Sequence, residues 1–259
     1  MGVVLSSDKT NISVISGNRV AYPLLISLAN IAPEIQSKTS LHSYLLLALL
    51  PVAKFTHKHT CIQSLLQDRL THAALAKVLE PLKIAARVGY MMNDPAGNLH
   101  YCYTLLAAYI ADTPEQTLLA CVGPKASPLM IATSKVFGDP VLHDPHTGLC
   151  TLLAICQASK KCSSMEFKEF LKFAKSFSLN GVVEPCWVDW PLSCPLCFLH
   201  VESLHHFHHF AWDHDVQWCV AVVTAAKIDF HFALLQIPTG CCAFDNGISN
   251  LKQVTGRDH

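Results

Sequence analysis

Three acidic side chains that lie far apart in the sequence are candidates for phosphoryl-transfer chemistry. Asp8 falls on the first strand-like segment, Asp112 ends a later apolar segment, and Glu202 lies on a late helical segment. Two-metal phosphoryl-transfer sites share Asp and Glu ligands, because hard cations prefer oxygen and retain water as a nucleophile. An isolated Asp is more often structural, but their joint placement makes these three acids candidate ligands of Mg²⁺ or Mn²⁺.

The segment HVESLHHFHHFAWDHD (200–215) contains six histidines, one glutamate and two aspartates. At 100° per residue, Glu202, His206, His209 and Asp213 share one face of a helix over about 201–225, opposite an apolar stripe that includes Ala211, Trp218 and Val222. Three interpretations stay open. The face is solvated, or Glu202 with His206 or His209 binds one metal, or Glu202 joins a carboxylate set in which the histidines are supporting residues and Asp213 is the fallback acid.

Cysteine spacing offers one weak alternative metal site. The chain has 12 cysteines, and only CPLC, with Cys194 and Cys197, has a spacing typical of zinc ligands. No second pair follows at the distance seen in zinc ribbons or fingers. Cys194 and Cys197 are therefore weak zinc candidates.

The elements that must position the acids begin with strands. The segments 2–15 and 19–31 flank SGN, which predicts an antiparallel hairpin, and the apolar run 43–53 predicts a third, buried strand. Helical spacing of apolar residues over 60–87 predicts a helix that Pro81 kinks or divides.

A second strand-to-helix junction holds Asp112. NDPAGN predicts a turn, and the apolar run after it ends at Asp112. In TPEQTLLACVG, we expect Thr113 to be the N-cap, with Pro114 and Gln116 at the first and third helical positions. The segment 123–197 is less regular, apart from a lysine-rich helix over 164–177 with an apolar opposite face.

The order of these elements predicts the fold class. Strand, strand, strand, helix, strand, helix, with acids on the first and fourth strands and on a late helix, describes an RNase H-like nuclease core. We therefore expect an α/β fold, a mixed sheet flanked by helices. Residues 1–122 and 198–259 would form the incomplete core, and 123–197 a mostly helical or irregular insertion.

Composition limits the class of protein. Of 259 residues, 51% are hydrophobic and 15% are charged, below the usual charged fraction of about 25%. No apolar run reaches the ~20 residues of a membrane span and no signal peptide is recognisable, so we expect an intracellular protein. The formal net charge of 0 gives no support for nucleic-acid binding. The apolar composition suggests a piece of something larger, with surfaces that face partners or further sequence. A homo-oligomer is a further expectation.

Several segments in order carry a resemblance to a known family. VVLSSDKTNIS, AAYIADTPEQTLLACV, VESLHHFHHFAWDHDVQWC and AFDNGISNLKQVTGRDH resemble the transposases of Plavaka elements, fungal cut-and-paste DNA transposons related to the CACTA and KDZ groups. The resemblance implies an RNase H-like DD(E/D) nuclease that uses Mg²⁺ or Mn²⁺ and acts in the nucleus. It also implies hydrolysis at the transposon end, followed by attack of the freed 3′-hydroxyl on target DNA.

The resemblance assigns the acids one by one. SSDKT places the first at Asp8, IADTPEQ the second at Asp112, and VESLHHFHHF favours Glu202 as the third, with Asp213 as the fallback. Relatives often carry cysteine pairs near the second acid, which VGPKASPLMIA lacks.

The expected protein is a catalytic-core fragment, truncated at both ends, that survives as an inactive remnant. The alternative is a non-enzymatic metal-binding or interaction protein that uses the histidine-rich helix 200–215. The transposase requires Asp8 and Asp112 to lie near Glu202 in the fold.

Overall fold

The structure is a computed structural model, and it describes residues 1–13, 19–200, 211–236 and 247–248. The chain forms two compact units, Met1–His200 and Val201–His259. The segment 123–197 belongs to the first unit. The proposed division into a core and an insertion stays a prediction.

The first unit is built on a five-stranded mixed sheet. Its strands and those of two small hairpins are β1 (Gly2–Ser7), β2 (Thr10–Ser13), β3 (Arg19–Ala21), β4 (Pro23–Leu28), β5 (Leu45–Leu49), β6 (Tyr90–Asn93), β7 (Leu99–Cys102), β8 (Leu105–Ile110) and β9 (Leu199–His200). The large sheet has the order β5-β4-β1-β8-β9. β1 runs antiparallel to β4, and β4 antiparallel to β5, whereas β8 is parallel to both β1 and β9. The prediction of an α/β fold with a mixed sheet is confirmed.

The predicted antiparallel hairpin of segments 2–15 and 19–31 is present, but each segment is divided into two strands. β1 pairs with β4 and β2 pairs with β3, so the two antiparallel segments divide near Asp8 on one side and Tyr22 on the other. The NDPAGN turn connects β6 and β7, which pair from Tyr90 with Cys102 to Asn93 with Leu99. The break between β1 and β2 places Asp8 directly after β1 instead of inside a strand.

Seven α-helices are described in the first unit. They are α1 (Pro33–Gln36), α2 (Thr60–Val78), α3 (Glu80–Val88), α4 (Thr113–Leu119), α5 (Gly148–Lys161), α6 (Phe167–Ser176) and α7 (Pro195–Phe198). Pro81 lies in the first turn of α3 and divides the predicted helix as expected, because proline is tolerated there but not in a helix interior. The predicted lysine-rich helix is α6, while α5 was not foreseen.

Two hydrophobic clusters hold the first unit together. The larger one joins strand residues to α2 and to the segment before α7, and includes Leu5, Leu24, Leu75, Tyr109 and Trp187. The smaller one packs α5 against α6 through Ile155, Ala158, Phe170, Ala174 and Leu179. Leu5, Leu24 and Leu75 are fully buried, so β1 and β4 are fixed against α2 at the sheet centre.

The prediction of a buried strand over 43–53 is wrong. The residues do form β5, but Leu45, Leu46 and Leu49 are 60%, 60% and 66% exposed. β5 is an edge strand, so only one neighbour pairs with it. An apolar run predicts a strand, but the layer that covers it depends on other parts of the fold.

The described part of the second unit is helical. A π-helix (Ala211–Val216) leads into α8 (Gln217–Val223), and α9 (Ala225–Leu234) follows after Thr224, whose φ is 79°. Trp218 and Val222, two residues of the predicted apolar stripe, are 62% and 84% exposed. Within the described ranges, no helix has the length and apolar character needed to cross a membrane.

Candidate functional site

The register of two parallel strands, β1 and β8, brings Asp8 and Asp112 together at the carboxyl ends of these strands. Ser6 of β1 pairs with Ile110 of β8, and each acid lies two residues beyond its paired residue. Neighbouring strands lie about 4.8 Å apart, and both strands run in the same direction. The two carboxylates therefore leave the sheet at the same ends of these strands, as the sequence predicted for Asp112 at its strand-to-helix junction.

Both acids line one cavity of about 470 Å³. Asp8 is exposed and Asp112 half-buried. The polar part of the lining consists of Asp8, Lys9, Tyr22, Ser64, Asp68, Asp112, Thr113, Glu115, Thr117 and Asn180. We name this cavity, with Asp8 and Asp112 at its edge, the acidic cleft.

Asp112 also caps α4, which corrects the predicted N-cap. An Asp112 carboxylate oxygen (Oδ1) accepts a hydrogen bond from the Glu115 backbone N–H at 2.9 Å, so Asp112 rather than Thr113 is the N-cap. Asp is among the best N-cap residues, and the positive end of the helix dipole stabilises its negative charge. A carboxylate has about four lone-pair sites, so capping leaves Asp112 able to accept further partners.

Glu115 is a buried carboxylate that connects the elements around the two acids. It accepts hydrogen bonds on Oε1 from the Ser7 hydroxyl and, at 2.6 Å, from the Tyr22 hydroxyl. Ser7 is also hydrogen-bonded to the Tyr109 hydroxyl at 2.7 Å. Ser7 precedes Asp8, and Glu115 binds Asp112 through its backbone. The network therefore fixes the end of β1 relative to the start of α4.

The electrostatics of this network follow from burial. Burial raises the pKa of Glu115 to about 7, opposing the hydrogen bonds from Ser7 and Tyr22, while the Asp112 charge raises it further. Burial and the neighbouring Glu115 charge raise the pKa of the Tyr22 hydroxyl well above its usual value. Near neutral pH the network therefore contains one carboxyl close to its titration midpoint.

Asp68 on α2 is a fourth carboxylate in the acidic cleft, and no sequence pattern singled it out. Asp68 accepts a hydrogen bond from the Asn180 side chain at 3.2 Å. Burial raises the pKa of Asp68 to about 6, against the opposing effects of the Lys9 charge and the Asn180 hydrogen bond. A polar residue on an amphipathic helix gives the same sequence signal as a solvated one, so only the fold distinguishes Asp68.

The remaining predicted ligands are Glu202, His206, His209 and the fallback acid Asp213. Glu202, His206 and His209 lie outside the described residues. Asp213 is on the π-helix of the second unit and is exposed. The donor types in the acidic cleft suit Mg²⁺ or Mn²⁺, which prefer carboxylate oxygen. Across the described ranges, however, no three His, Cys, Asp or Glu side chains are grouped as a complete metal site.

The CPLC pair is part of a helix start. Cys194 is the N-cap of α7, and its sulfur accepts a hydrogen bond from the Gly148 backbone N–H at 3.2 Å. Cys197 lies in α7 and is exposed. Both are free thiols, and the weak zinc hypothesis stays a prediction.

Comparison with known proteins places the chain in a family. The family model described as Plavaka transposase matches residues 1–219 of 259. No curated protein matches the chain, and no solved structure matches it. The matched segment contains β1, β8 and α4 and therefore the whole acidic cleft. The resemblance inferred from the separate motifs is confirmed, and the chain belongs to the Plavaka transposase family.

Proposed function

We propose that the chain is the catalytic core of a DNA transposase of the RNase H-like type, in which Asp8 and Asp112 hold a divalent cation at the scissile phosphate. The observation that carries the proposal is the shared position of these acids beyond paired residues of β1 and β8. Membership of the Plavaka transposase family supports DNA as the substrate.

The sheet supports the RNase H-like assignment. β1, β4 and β5 are antiparallel neighbours, α2 follows β5, and β8 then joins the opposite side of β1 in parallel. This is the element order expected for an RNase H-like core. β1 lies at the centre of the sheet, so the first acid follows a strand that neighbours hold on both sides.

The residues of the acidic cleft would divide the chemical work. A bound Mg²⁺ or Mn²⁺ would stabilise charge on the phosphoryl oxygens and favour hydroxide formation from water. Asp8 and Asp112 would supply its oxygen ligands. The Lys9 ammonium, 5.0 Å from the centre of the Tyr22 ring, would offset negative charge beside them. Glu115 would maintain the spacing of the two acids through Ser7 and its own backbone N–H.

Glu202 is the proposed third acid, with Asp213 as the fallback and His206 and His209 as supporting residues. The assignment rests on the family resemblance and on a count along the chain. His200 pairs with Ile110, and Glu202 follows His200 by two residues, just as Asp112 follows Ile110.

We expect slow turnover from this chain by itself. Phosphate contacts supply most non-specific DNA affinity, and the formal net charge of 0 gives no general attraction. The inactive remnant stays a prediction, and low DNA affinity is its physical reason. Nuclear action, transposon ends and target DNA as partners, and a homo-oligomer are proposed on the resemblance.

A nicking assay with enzyme in excess tests the proposal. The protein is incubated with supercoiled plasmid at low salt with Mn²⁺, Mg²⁺ or EDTA. We expect metal-dependent nicking that Asp8→Asn, Asp112→Asn and Glu202→Gln each reduce at least about 100-fold, since each removes a charged ligand. Asp144→Asn is the matched control, because Asp144 is exposed and does not line the acidic cleft. Equal nicking by wild type and the Asp8 and Asp112 variants would refute the proposal.

A further inference from the structure

A second cavity, lined by three lysines, lies beside the acidic cleft. It has a volume of about 540 Å³, and Lys125, Lys135 and Lys175 are its charged lining residues. Pro124 lines both this cavity and the acidic cleft. We name it the lysine cavity. Its contact with the acidic cleft makes it relevant to any extended ligand that the cleft binds.

Backbone pairing between distant segments assembles the lysine cavity. The Ser134 N–H donates to the Lys125 carbonyl at 2.8 Å, which sets Lys125 and Lys135 on facing segments. The Gly123 N–H donates to the Ser178 carbonyl at 2.7 Å and joins these segments to the end of α6. Lys175 lies in the last turn of α6. The three lysines therefore converge although 50 residues separate the first from the last.

The lysine cavity is suited to an anion. None of the described residues that line it is acidic, and hydroxyl groups of Thr133, Ser134 and Ser178 accompany the lysines. All three lysines are exposed. No ion pair found among the described residues includes them. Their charges are therefore available to a ligand, and an ammonium beside hydroxyl donors is a common phosphate-binding arrangement.

We propose that the lysine cavity binds backbone phosphates of the DNA strand whose scissile phosphate enters the acidic cleft. The proposal rests on the proposed function and adds the substrate-binding surface. Ser178 lines the lysine cavity and Asn180 lines the acidic cleft, and two residues span at most about 7 Å. A phosphodiester chain that passes through one cavity therefore reaches the other within a few nucleotides.

DNA binding without metal tests this surface separately from cleavage. Binding of a short fluorescein-labelled DNA duplex is followed by anisotropy in EDTA over about 50–200 mM salt. Each phosphate contact contributes about 0.9 to the slope of log affinity against log salt. We expect the lysine-cavity triple variant to reduce that slope by about 2 to 3 and to weaken binding at least tenfold at 0.1 M salt. Its substitutions are Lys125→Ala, Lys135→Ala and Lys175→Ala.

Two matched variants separate the site from general charge. A control triple variant changes three exposed lysines that do not line the cavity, Lys38→Ala, Lys54→Ala and Lys77→Ala, and it should keep at least half of the wild-type affinity. Replacing the three cavity lysines by Arg retains their charge and should preserve the slope. Equal losses in the cavity and control triple variants, or unchanged binding by the cavity variant, would overturn the proposal.

The same experiment distinguishes this proposal from the proposed function. Loss of binding in the cavity variant, with no metal-dependent nicking by wild type, would support the DNA surface and reject the nuclease. Nicking that requires Asp8 and Asp112, with unchanged binding by the cavity variant, would support the nuclease and reject the surface.

Discussion

Glu115→Gln should change how the stability of the fold depends on pH. Glu115 is 8% exposed, and burial raises the pKa of its carboxyl to about 7. The folded protein thus keeps a proton on Glu115 in a range where the unfolded chain releases it. Where the folded state binds more protons than the unfolded state, the free energy of unfolding falls as the pH rises. We expect the wild-type free energy of unfolding to decrease from about pH 4.5 to pH 7 through this group.

The size of the effect follows from the pKa change. One pKa unit corresponds to about 1.4 kcal/mol, so the change from 4.5 to about 7 corresponds to about 3 kcal/mol. Glutamine has the size of the protonated acid, and its amide oxygen can accept the Ser7 and Tyr22 hydroxyl hydrogen bonds. Glu115→Gln should therefore remove this loss, and the variant should gain up to about 3 kcal/mol relative to wild type between pH 5 and pH 8.

Urea unfolding at pH 5, 6, 7 and 8 measures the effect. The difference between wild type and variant at each pH is decisive, because Asp68 and the other titrating groups are present in both. A difference in unfolding free energy that is the same at every pH reports only how well the glutamine amide fits the site of Glu115. Glu184→Gln is the control, since Glu184 is exposed and the substitution should give a flat difference. Wild type that gains stability relative to Glu115→Gln as pH rises would refute the reasoning.

Three further predictions concern the site and the core. Asp112→Ala should cost about 1 kcal/mol and abolish metal-dependent nicking, whereas Asp112→Asn should abolish nicking with almost no loss of stability, because Asn caps helices as well as Asp. Asp189→Ala should destabilise the fold by roughly 1–3 kcal/mol more than Lys83→Met in urea unfolding. The side chain of Lys83 is 2% exposed and that of its ion-pair partner Asp189 is 41% exposed, so Asp189→Ala leaves a buried ammonium without its partner. Burial lowers the pKa of His72 to about 4, so the contribution of this group to stability should fall as pH falls from 6.5 to 4, opposite in sign to that of Glu115. Urea unfolding should show this as a stability of wild type that falls relative to His72→Gln over that range.

The sequence predicted the local features that strand periodicity and turn chemistry determine. The apolar run ending at Asp112 correctly placed that acid after a strand, and Pro81 correctly divided α2 from α3, whereas Asp8 follows β1 instead of lying inside the predicted strand. Such features depend on a few neighbouring residues. The N-cap was misplaced by one residue because Asp112 and Thr113 can both cap, and Pro114 fits either of the first two helical positions.

The arrangement of the elements in the fold was harder to predict from the sequence. The leucines of β5 gave the signal of a buried strand, yet no sequence pattern states which strands form the edge of a sheet. Asp68 and Glu115 looked like ordinary helix residues until α2 and α4 placed them in the acidic cleft. The lysine cavity was equally hidden, because α6 and the segments around Lys125 and Lys135 meet only in the fold.

Manganese binding measured by electron paramagnetic resonance tests the central claim most directly, because it requires neither DNA nor turnover. We expect wild type and Asp144→Asn to bind Mn²⁺ alike, and Asp8→Asn and Asp112→Asn each to weaken binding at least tenfold while the fold stays intact. Unchanged Mn²⁺ binding in both variants, with metal retention lost only on His206→Ala and His209→Ala, would show that Asp8 and Asp112 do not hold the metal and would favour the histidine-rich segment as the metal site.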